Sequence, residues 1–252
     1  MSAPLKLALA GERLQLLAER AVFLPERATL LVADAHVGKA VSFRALGVPV
    51  PRGTTTETLQ RLGRLVEATA AEHVIFLGDF LHSARSHAPH TLSALARWRD
   101  EHSRLSLSLV RGNHDLHAGD PPAAFAIDVF GEPFRLGGLA LCHHPQVVAG
   151  AYALAGHWHP CAGVGGRARD RLRLPCYWFG SETLRPVGVL PAFGAFTGMH
   201  LIERGSGDRV FVVAENRVAE LRGPVDEPQA SRRASSREPQ PASSGRRRVR
   251  RS

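Results

Sequence analysis

Short apolar runs recur along the chain, and they constrain its fold more than any other feature. Five of them precede residue 156: Thr29–Ala33, His73–Leu77, Leu105–Val110, Leu139–Cys142 and Ala151–Ala155. Continuous runs of this length are typical of strands buried on both faces, whereas half-exposed strands alternate apolar and polar residues. Three further strand candidates follow Gly180, at Val187–Leu190, Met199–Ile202 and Val210–Ala214.

Two of the segments between these runs show helical spacing. Thr54–Ala71 repeats leucine at helical intervals behind threonines suited to a cap, and Pro89–His102 shows a similar apolar side. Strands separated by helices predict an α/β protein in which a layered sheet is flanked by helices.

Composition narrows the class of protein. The chain has 252 residues and is 44% hydrophobic, which is enough to bury a sizeable core. No apolar run approaches the roughly 20 residues needed to cross a bilayer, so we expect a cytoplasmic protein without a membrane partner. The three cysteines, Cys142, Cys161 and Cys176, form no CxxC pair, which argues against a disulfide framework and a thiolate zinc site.

The positive charge is concentrated near the end of the chain. The formal net charge is +9, and residues 224–252 contribute eight arginines against three acidic residues, or +5 of that total. This stretch is rich in Pro, Ser and Arg and poor in large apolar residues, so we predict a folded domain over residues 1–222 and a disordered basic tail over residues 223–252. The tail could contact DNA, RNA or an acidic partner, or it could be a solubilising appendage without a specific target.

Residues of types that can bind metal ions follow each of the five early runs. They are Asp34 and His36, Asp79 and His82, Asn113 to Asp115, His143 and His144, and His157 and His159. In open α/β sheets, ligands bind at the carboxyl ends of the strands, so these five groups are expected to converge. If the Asp-x-His and His-x-His segments stay extended, residues i and i+2 point the same way. The glycines before Asp79, Asn113 and His157 would permit close backbone approach.

The donor types indicate which ions would fit. Carboxylate and amide oxygens combine with several imidazoles and no thiolate, which favours Mn²⁺, Fe or Zn²⁺ over Ca²⁺ or Mg²⁺. Taken singly, each motif is weak, because Asp-x-His and Gly-Asp pairs are common in turns and most histidines are ordinary surface or core residues. Five such segments in one order are much harder to explain as coincidence.

The ordered motifs D-x-H, G-D-x-x-H, G-N-H-D, a strand-end His and G-H-x-H resemble the calcineurin-like metallophosphoesterase superfamily. More closely, residues 1 to about 220 resemble the bacterial ligase-associated DNA damage response phosphoesterases, which are encoded beside a DNA ligase and a DEXH-box helicase. The stretches that carry this closer resemblance are LAGERLQLL, ADAHVGKAVSFRALGVPVPRGTT, FLGDFLHS and LPAFGAFTG. The resemblance implies an αββα sandwich and two bound divalent metal ions, with Mn²⁺ favoured and Fe or Zn²⁺ as alternatives.

The resemblance also implies residue roles. The first metal would be held by Asp34, His36 and His159, the second by Asn113, His143 and His157, and both by a bridging Asp79. His114 would not bind metal but would donate a proton to the leaving group. The family pattern has one histidine in its fourth segment where this chain has His143-His144, and we favour His143 because it directly follows the strand.

Six residues near the motifs are weaker candidates for supporting or substrate-binding roles: Lys39, Arg44, His82, Arg111, Asp115 and His144. Lys39 and Arg111 could grip phosphate, and Asp115 could orient His114 or cap a helix. For the basic residues and His82, a surface charge or a backbone-capping role is an equally good interpretation.

Three functional hypotheses follow. The first is a Mn²⁺-dependent nuclease or phosphodiesterase that acts on DNA and associates with a DNA ligase and a DEXH-box helicase. The second is a small-molecule phosphodiesterase or nucleotide hydrolase with the same two-metal site. The third is a non-catalytic scaffold of a repair complex, which is disfavoured because no ligand position is lost.

Overall fold

The structure is a computed structural model that describes residues 3–51, 53–165 and 171–222. At Arg171 it describes the backbone alone. The predicted basic tail, residues 223–252, lies outside the described residues. Within the described ranges, a first sheet and its connections account for the chain up to residue 130. Its strands are β1 (Leu5–Leu9), β2 (Glu12–Leu16), β3 (Val22–Leu24), β4 (Thr29–Ala33), β5 (His73–Leu77), β6 (Ser106–Val110) and β7 (Ile127–Phe130).

Helices connect the later strands of this sheet. They are α1 (Lys39–Ala45), α2 (Thr54–Thr69), α3 (Pro89–Glu101) and α4 (Asn113–Ala118), with short 3-10 turns at Pro25–Arg27, Ala84–His87 and Ala123–Phe125. The strands lie in sequence order. β1 to β4 pair antiparallel, and β4 to β7 pair parallel. The helices are therefore the crossovers that parallel strands require.

The rest of the described chain forms a second sheet of nine strands. They are β8 (Phe134–Leu136), β9 (Leu139–Leu141), β10 (Tyr152–Ala155), β11 (Pro160–Gly165), β12 (Arg171–Phe179), β13 (Val187–Val189), β14 (His200–Leu201), β15 (Arg209–Ala214) and β16 (Arg217–Glu220). The main path runs β14-β11-β12-β13-β10-β9-β8, and β15 pairs with both β12 and β16. β9 and β10 are parallel neighbours, with Leu141 beside Leu154.

Apolar layers hold the sheets and helices together. In β4, Leu31 faces a core shared by the two sheets, where it lies with Ile75, Tyr177 and Phe211. The next residue, Val32, faces a core formed with α2 and α3. A third cluster, which includes Trp178, lies on the far side of the second sheet. Because both faces of β4 are covered, all five of its residues are buried, which explains its continuous apolar run.

The prediction of layered sheets flanked by helices is confirmed, and most predicted elements are present with ends shifted by only one or two residues. The helices α1 and α4 were not predicted. All three cysteines lie within the described residues and are free and buried. No helix among the described residues is long and apolar enough to cross a membrane.

Candidate metal centre

The parallel strands of the first sheet end in register. Ala33, Leu77 and Val110 lie side by side at the carboxyl ends of β4, β5 and β6. The polar residues that follow these strands are therefore brought to one edge of the sheet. The second sheet adds its own strand ends, because the N–H of Gly156 after β10 donates to the carbonyl of His143 after β9 at 3.1 Å.

One group of donor atoms surrounds Asp34. The Nε2 atoms of His36 and His159 are 3.4 Å apart, and Nε2 of His159 lies 3.7 Å from Oδ1 of Asp34. Asp34 is fully buried and His36 nearly so. Bonds of about 2.1 Å in a tetrahedral or octahedral shell place neighbouring ligand atoms about 3.0–3.4 Å apart. The spacing in this group is close to that of a metal shell.

A second group lies beside it. Nε2 of His143 is 2.8 Å from Oδ1 of Asn113 and 3.0 Å from Nδ1 of His157. His143 is fully buried, whereas His157 is exposed. One amide oxygen and two imidazole nitrogens from three different strand ends thus meet within about 3 Å of one another.

Asp79 lies between the two groups. Its Oδ2 is 3.8 Å from Nε2 of His36, and its Oδ1 is 3.4 Å from Nε2 of His143. Burial raises the pKa of Asp79, and the backbone N–H of His114 opposes this by donating to Oδ1. The two oxygens of one carboxylate therefore face different donor groups, which is the geometry of a bridging ligand.

The backbone of the ligand segments differs from the sequence expectation. Five of the seven predicted ligands have left-handed backbone angles, namely Asp34 (φ 52°), His36 (φ 44°), Asp79 (φ 49°), His157 (φ 69°) and His159 (φ 49°). The expectation that Asp34–His36 and His157–His159 continue as extended chain is therefore wrong. Non-glycine residues rarely adopt this region, and such strain clusters at functional sites where surrounding contacts enforce it.

Tertiary hydrogen bonds enforce these turns. The N–H of His36 donates to the carbonyl of Asp79 at 2.8 Å. The N–H of His157 donates to the carboxylate of Asp34, at 2.9 Å to Oδ2. Each segment is thus fixed by a residue from a different strand end, which local sequence patterns do not reveal.

The predicted need for glycine before three of the ligands is confirmed. A Cβ on Gly78, which has φ +76°, would overlap the ring of His143. A Cβ on Gly112 would lie 2.5 Å from the backbone nitrogen of Asp79, and one on Gly156 would lie 2.5 Å from Oδ2 of Asp34. Close approach of backbone to ligand side chains is therefore possible only without a Cβ.

Hydrogen bonds select which nitrogen of each imidazole is free. Nδ1 of His143 donates to the carbonyl of Leu77 at 3.2 Å, and Nδ1 of His159 donates to the carbonyl of Gly198 at 3.1 Å. Nδ1 of His36 lies 3.3 Å from Nδ1 of His82. In all three rings, Nε2 faces the centre, and the outer nitrogen is held in the way typical of metal-binding histidines.

Burial at the centre favours the uncharged form of four histidines. Burial lowers the pKa of His143 to about 4 and that of His82 to about 4. Burial also lowers the pKa of His36 and His157. Neutral imidazole is the form that binds metal, so the centre is prepared for cations near neutral pH.

His114 occupies the rim of the centre. Its Nδ1 donates to the carbonyl of His82 at 2.7 Å, which leaves Nε2 directed inward, 4.0 Å from Oδ2 of Asp79. Its ring stacks on that of His82 with centroids 4.8 Å apart, and its side chain is 38% exposed. His114 can therefore contact a bound substrate without being enclosed by the ligand groups.

The weaker candidates have different surroundings. Lys39 begins α1, and its Nζ lies 5.6 Å from the centroid of the Phe43 ring. Partial burial lowers its pKa, while the charges of Asp34 and Asp79 act in the opposite sense. Arg111 forms a bidentate pair with Asp120 at 2.9 and 2.7 Å. Arg44 is exposed and donates to the carbonyl of Pro51 at 3.3 Å. Lys39 is therefore within the electrostatic reach of the two carboxylates, whereas both arginines are engaged elsewhere.

Asp115 is buried beneath the centre. Its two oxygens accept the N–H groups of Leu81 and Gly112, each at 3.0 Å. Burial raises its pKa to about 6, although these backbone bonds oppose the shift. Of the two roles considered for Asp115, capping of α4 is the one that the contacts support.

Glu132 was missed by the sequence analysis. Its carboxylate accepts Nδ1–H of His144 at 2.7 Å and the backbone N–H groups of His143 and His144 at 2.7 and 2.9 Å. Burial raises the pKa of Glu132, but the bonds from His144 and His143 outweigh it and the net shift is downward. Glu132 lies in a turn between the two sheets, and no local motif marks it.

Two packed sheets with buried Asp and His groups at their shared edge define the metallophosphoesterase class. A crystal structure of the Pseudomonas putida nuclease MPE matches the chain with 42% identity and a TM-score of 0.76, over 86% of this chain and 100% of that one. The chain belongs to the family of metallophosphoesterases that includes this nuclease, which confirms the resemblance inferred from the motifs.

Other comparisons add little. A structure of YfcE, a phosphoesterase from E. coli, matches with 12% identity and a TM-score of 0.38, over 77% of this chain and 97% of that one. That TM-score is too low to establish a shared fold. No protein-family model matches the chain, and no curated protein matches it.

Proposed function

We propose that the chain is a metal-dependent phosphodiesterase that cleaves DNA, with two divalent ions held at the strand ends. The position of Asp79 carries this proposal. One buried carboxylate presents an oxygen to each of two donor groups, 3.8 Å from His36 and 3.4 Å from His143. A single-metal site needs no such bridging residue.

The surroundings of His143 support bound cations independently. Nδ1 of His143 donates to Leu77, so in the neutral ring Nε2 is a bare lone pair, yet it faces Oδ1 of Asn113 at 2.8 Å. Nδ1 of His157 also lies 3.0 Å from this Nε2, so an amide oxygen and two imidazoles converge on one point, which is a typical arrangement of ligands around a cation. The donor set therefore fits a metal ion.

In this proposal, Asp34, His36 and His159 hold the first ion, and Asn113, His143 and His157 hold the second. Mn²⁺ is the favoured ion, with Fe or Zn²⁺ as alternatives, because imidazole and carboxylate donors are mixed and thiolates are absent from the described donor groups. When bound, two such ions supply an activated water and neutralise charge on the phosphate.

The protein's own residues supply the remaining chemistry. Lys39 would add positive charge near the carboxylates of the centre, whose charges act on its pKa. Burial shields Asp34, His36 and His143 from bulk water. His114 donates a proton from Nε2 to the departing alkoxide, and its Nδ1 bond to His82 holds the ring in that orientation. His82 thus supports both a metal ligand and the proton donor.

DNA is favoured as the substrate because the matched Pseudomonas protein is named a nuclease and aligns over its whole length. The alternative is a small phosphodiester or nucleotide, since the ligand groups themselves do not distinguish these substrates. A non-catalytic scaffold is disfavoured because every ligand position is filled by a competent donor.

The proposal also includes association with a DNA ligase and a DEXH-box helicase and contact of the basic tail with DNA. These parts are supported by the sequence alone. Free, buried cysteines fit the proposed cytoplasmic location.

Hydrolysis of bis(p-nitrophenyl) phosphate by purified protein with Mn²⁺ tests the proposal. The wild type should turn over, and Asp79→Asn should not. Asp100→Asn, a change of an exposed carboxylate on α3, is the matched control and should behave like the wild type. No turnover with any divalent ion would contradict the enzymatic function. Cleavage of single-stranded, nicked and duplex DNA then separates the substrates, because indifference to every DNA form would favour the small-molecule alternative.

A further inference from the structure

Glu132 binds both members of the His143-His144 pair. It lies in the turn between β7 and β8, where the chain crosses from the first sheet to the second. Oε2 accepts the backbone N–H of His143 at 2.7 Å and of His144 at 2.9 Å, while Oε1 accepts Nδ1–H of His144 at 2.7 Å. A single carboxylate therefore takes three hydrogen bonds from two consecutive residues.

Strand pairing explains how Glu132 reaches this position. β8 and β9 are antiparallel, with Phe134 opposite Leu141. Continuing this register by two residues places Glu132 opposite His143. A carboxylate suits three donors because it has two oxygens and only accepts hydrogen bonds, whereas an amide at the same place would present one donor group.

The two histidines are close enough to compete for one ion. The ring of His144 lies 4.6 Å from that of His157, and ligand atoms of His143, His144 and His157 all lie within 4.8 Å of one another. His143 is buried with Nε2 toward Asn113, whereas the side chain of His144 is 44% exposed and bound to Glu132. The contacts with Glu132 thus separate two otherwise similar side chains.

We infer that Glu132 is a positioning residue that assigns the second metal position to His143 and withholds His144 from it. The two backbone bonds fix the chain where His143 enters the centre. The bond to Nδ1 holds the His144 ring against the turn. This inference rests on the proposed two-metal function.

Three variants separate these effects. Glu132→Ala removes all three bonds. Glu132→Gln keeps a carbonyl oxygen for the backbone N–H groups, but its NH₂ cannot accept from His144. The double variant Glu132→Ala/His144→Ala also removes the competing imidazole. Glu26→Ala is the matched control, because Glu26 pairs with Arg13 at the opposite end of the first sheet.

Backbone amide exchange in metal-free protein checks the local contacts. The amides of His143 and His144 should be protected in wild type, should lose protection in Glu132→Ala, and should keep most of it in Glu132→Gln. Equal exchange in wild type and Glu132→Ala would overturn the inference without involving metal.

The positioning role of Glu132 is tested by titrating metal-free protein with Mn²⁺. The free ion is measured by electron paramagnetic resonance. Wild type and Glu26→Ala should bind two ions. Glu132→Ala should bind one of them about 10- to 100-fold more weakly, and the double variant should recover part of that loss. Wild-type constants in Glu132→Ala, or a double variant no tighter than Glu132→Ala, would overturn the role of Glu132. A wild type that binds fewer than two ions would instead overturn the proposed function.

Discussion

His114 approaches Asp79 twice, through its backbone and through its ring. Its N–H donates to Oδ1 of Asp79 at 2.9 Å, and its Nε2 lies 4.0 Å from Oδ2 of the same carboxylate. The proposed bridging residue and the proposed proton donor are therefore held in one fixed relation. Four predictions follow from this centre and its supports.

Removing the His114 ring should impair chemistry without emptying the centre. His114→Ala should lower DNA cleavage by about 10²- to 10⁴-fold, and hydrolysis of bis(p-nitrophenyl) phosphate by less, because p-nitrophenolate departs without a proton. Steady-state kinetics on both substrates and the Mn²⁺ content measure this. His90→Ala, an exposed change on α3, is the control. Loss of both ions in His114→Ala would show that the assigned role is wrong.

A methyl group at Gly78 should displace His143. Gly78→Ala adds left-handed strain of about 1–2 kcal/mol and a clash with the His143 ring, so stability and the affinity for one Mn²⁺ should both fall. Gly11→Ala is a matched control, because Gly11 has φ +79° but no atom within 4 Å of the added Cβ. Denaturant unfolding and Mn²⁺ titration would distinguish the two variants. Equal losses in both would mean that close approach to His143 is unimportant.

Asp115 should contribute to stability through its two backbone bonds. Asp115→Ala leaves the buried N–H groups of Leu81 and Gly112 without their acceptor, which should lower the free energy of unfolding by about 2–4 kcal/mol. Asp115→Asn keeps one acceptor oxygen and should lose less. Denaturant unfolding of the metal-free proteins measures both, and a loss below about 0.5 kcal/mol in Asp115→Ala would exclude the capping role.

The lowered pKa of His82 should make the metal-free protein sensitive to acid. Burial lowers this pKa from 6.5 to about 4, so the unfolded chain binds more protons than the folded chain across that range. The contribution of neutral His82 to the free energy of unfolding is fully present above about pH 6.5, and it is lost as the pH falls through about 4. The raised pKa values of Asp79 and Asp115 change the free energy of unfolding with pH in the opposite sense. The effect of His82 must therefore be measured by comparing a His82 variant with the wild type.

His82→Gln supplies that comparison. Between pH 7 and pH 4, its free energy of unfolding should fall less than that of wild type. His90→Gln, a change of an exposed histidine, should follow the wild type. If the free energy of unfolding fell equally with pH in wild type and His82→Gln, the lowered pKa of His82 would be contradicted.

The sequence by itself determined the donor residues and their order. Apolar runs marked the strands, and parallel strands share an edge, so the residues after β4, β5 and β6 had to converge. Side-chain chemistry then indicated the class of ion. These inferences are local or depend on one general property of α/β sheets, which is why they were possible without coordinates.

Only the tertiary structure decided how the donors are oriented. The left-handed turns at Asp34 and His157 depend on a hydrogen bond between residues 123 positions apart. The assignment of one Asp79 oxygen to each donor group depends on packing of two sheets, and the distinction between His143 and His144 depends on Glu132 in a turn without a motif. Such contacts join distant parts of the chain, and their geometry is set by the balance of burial and hydrogen bonding in the folded protein.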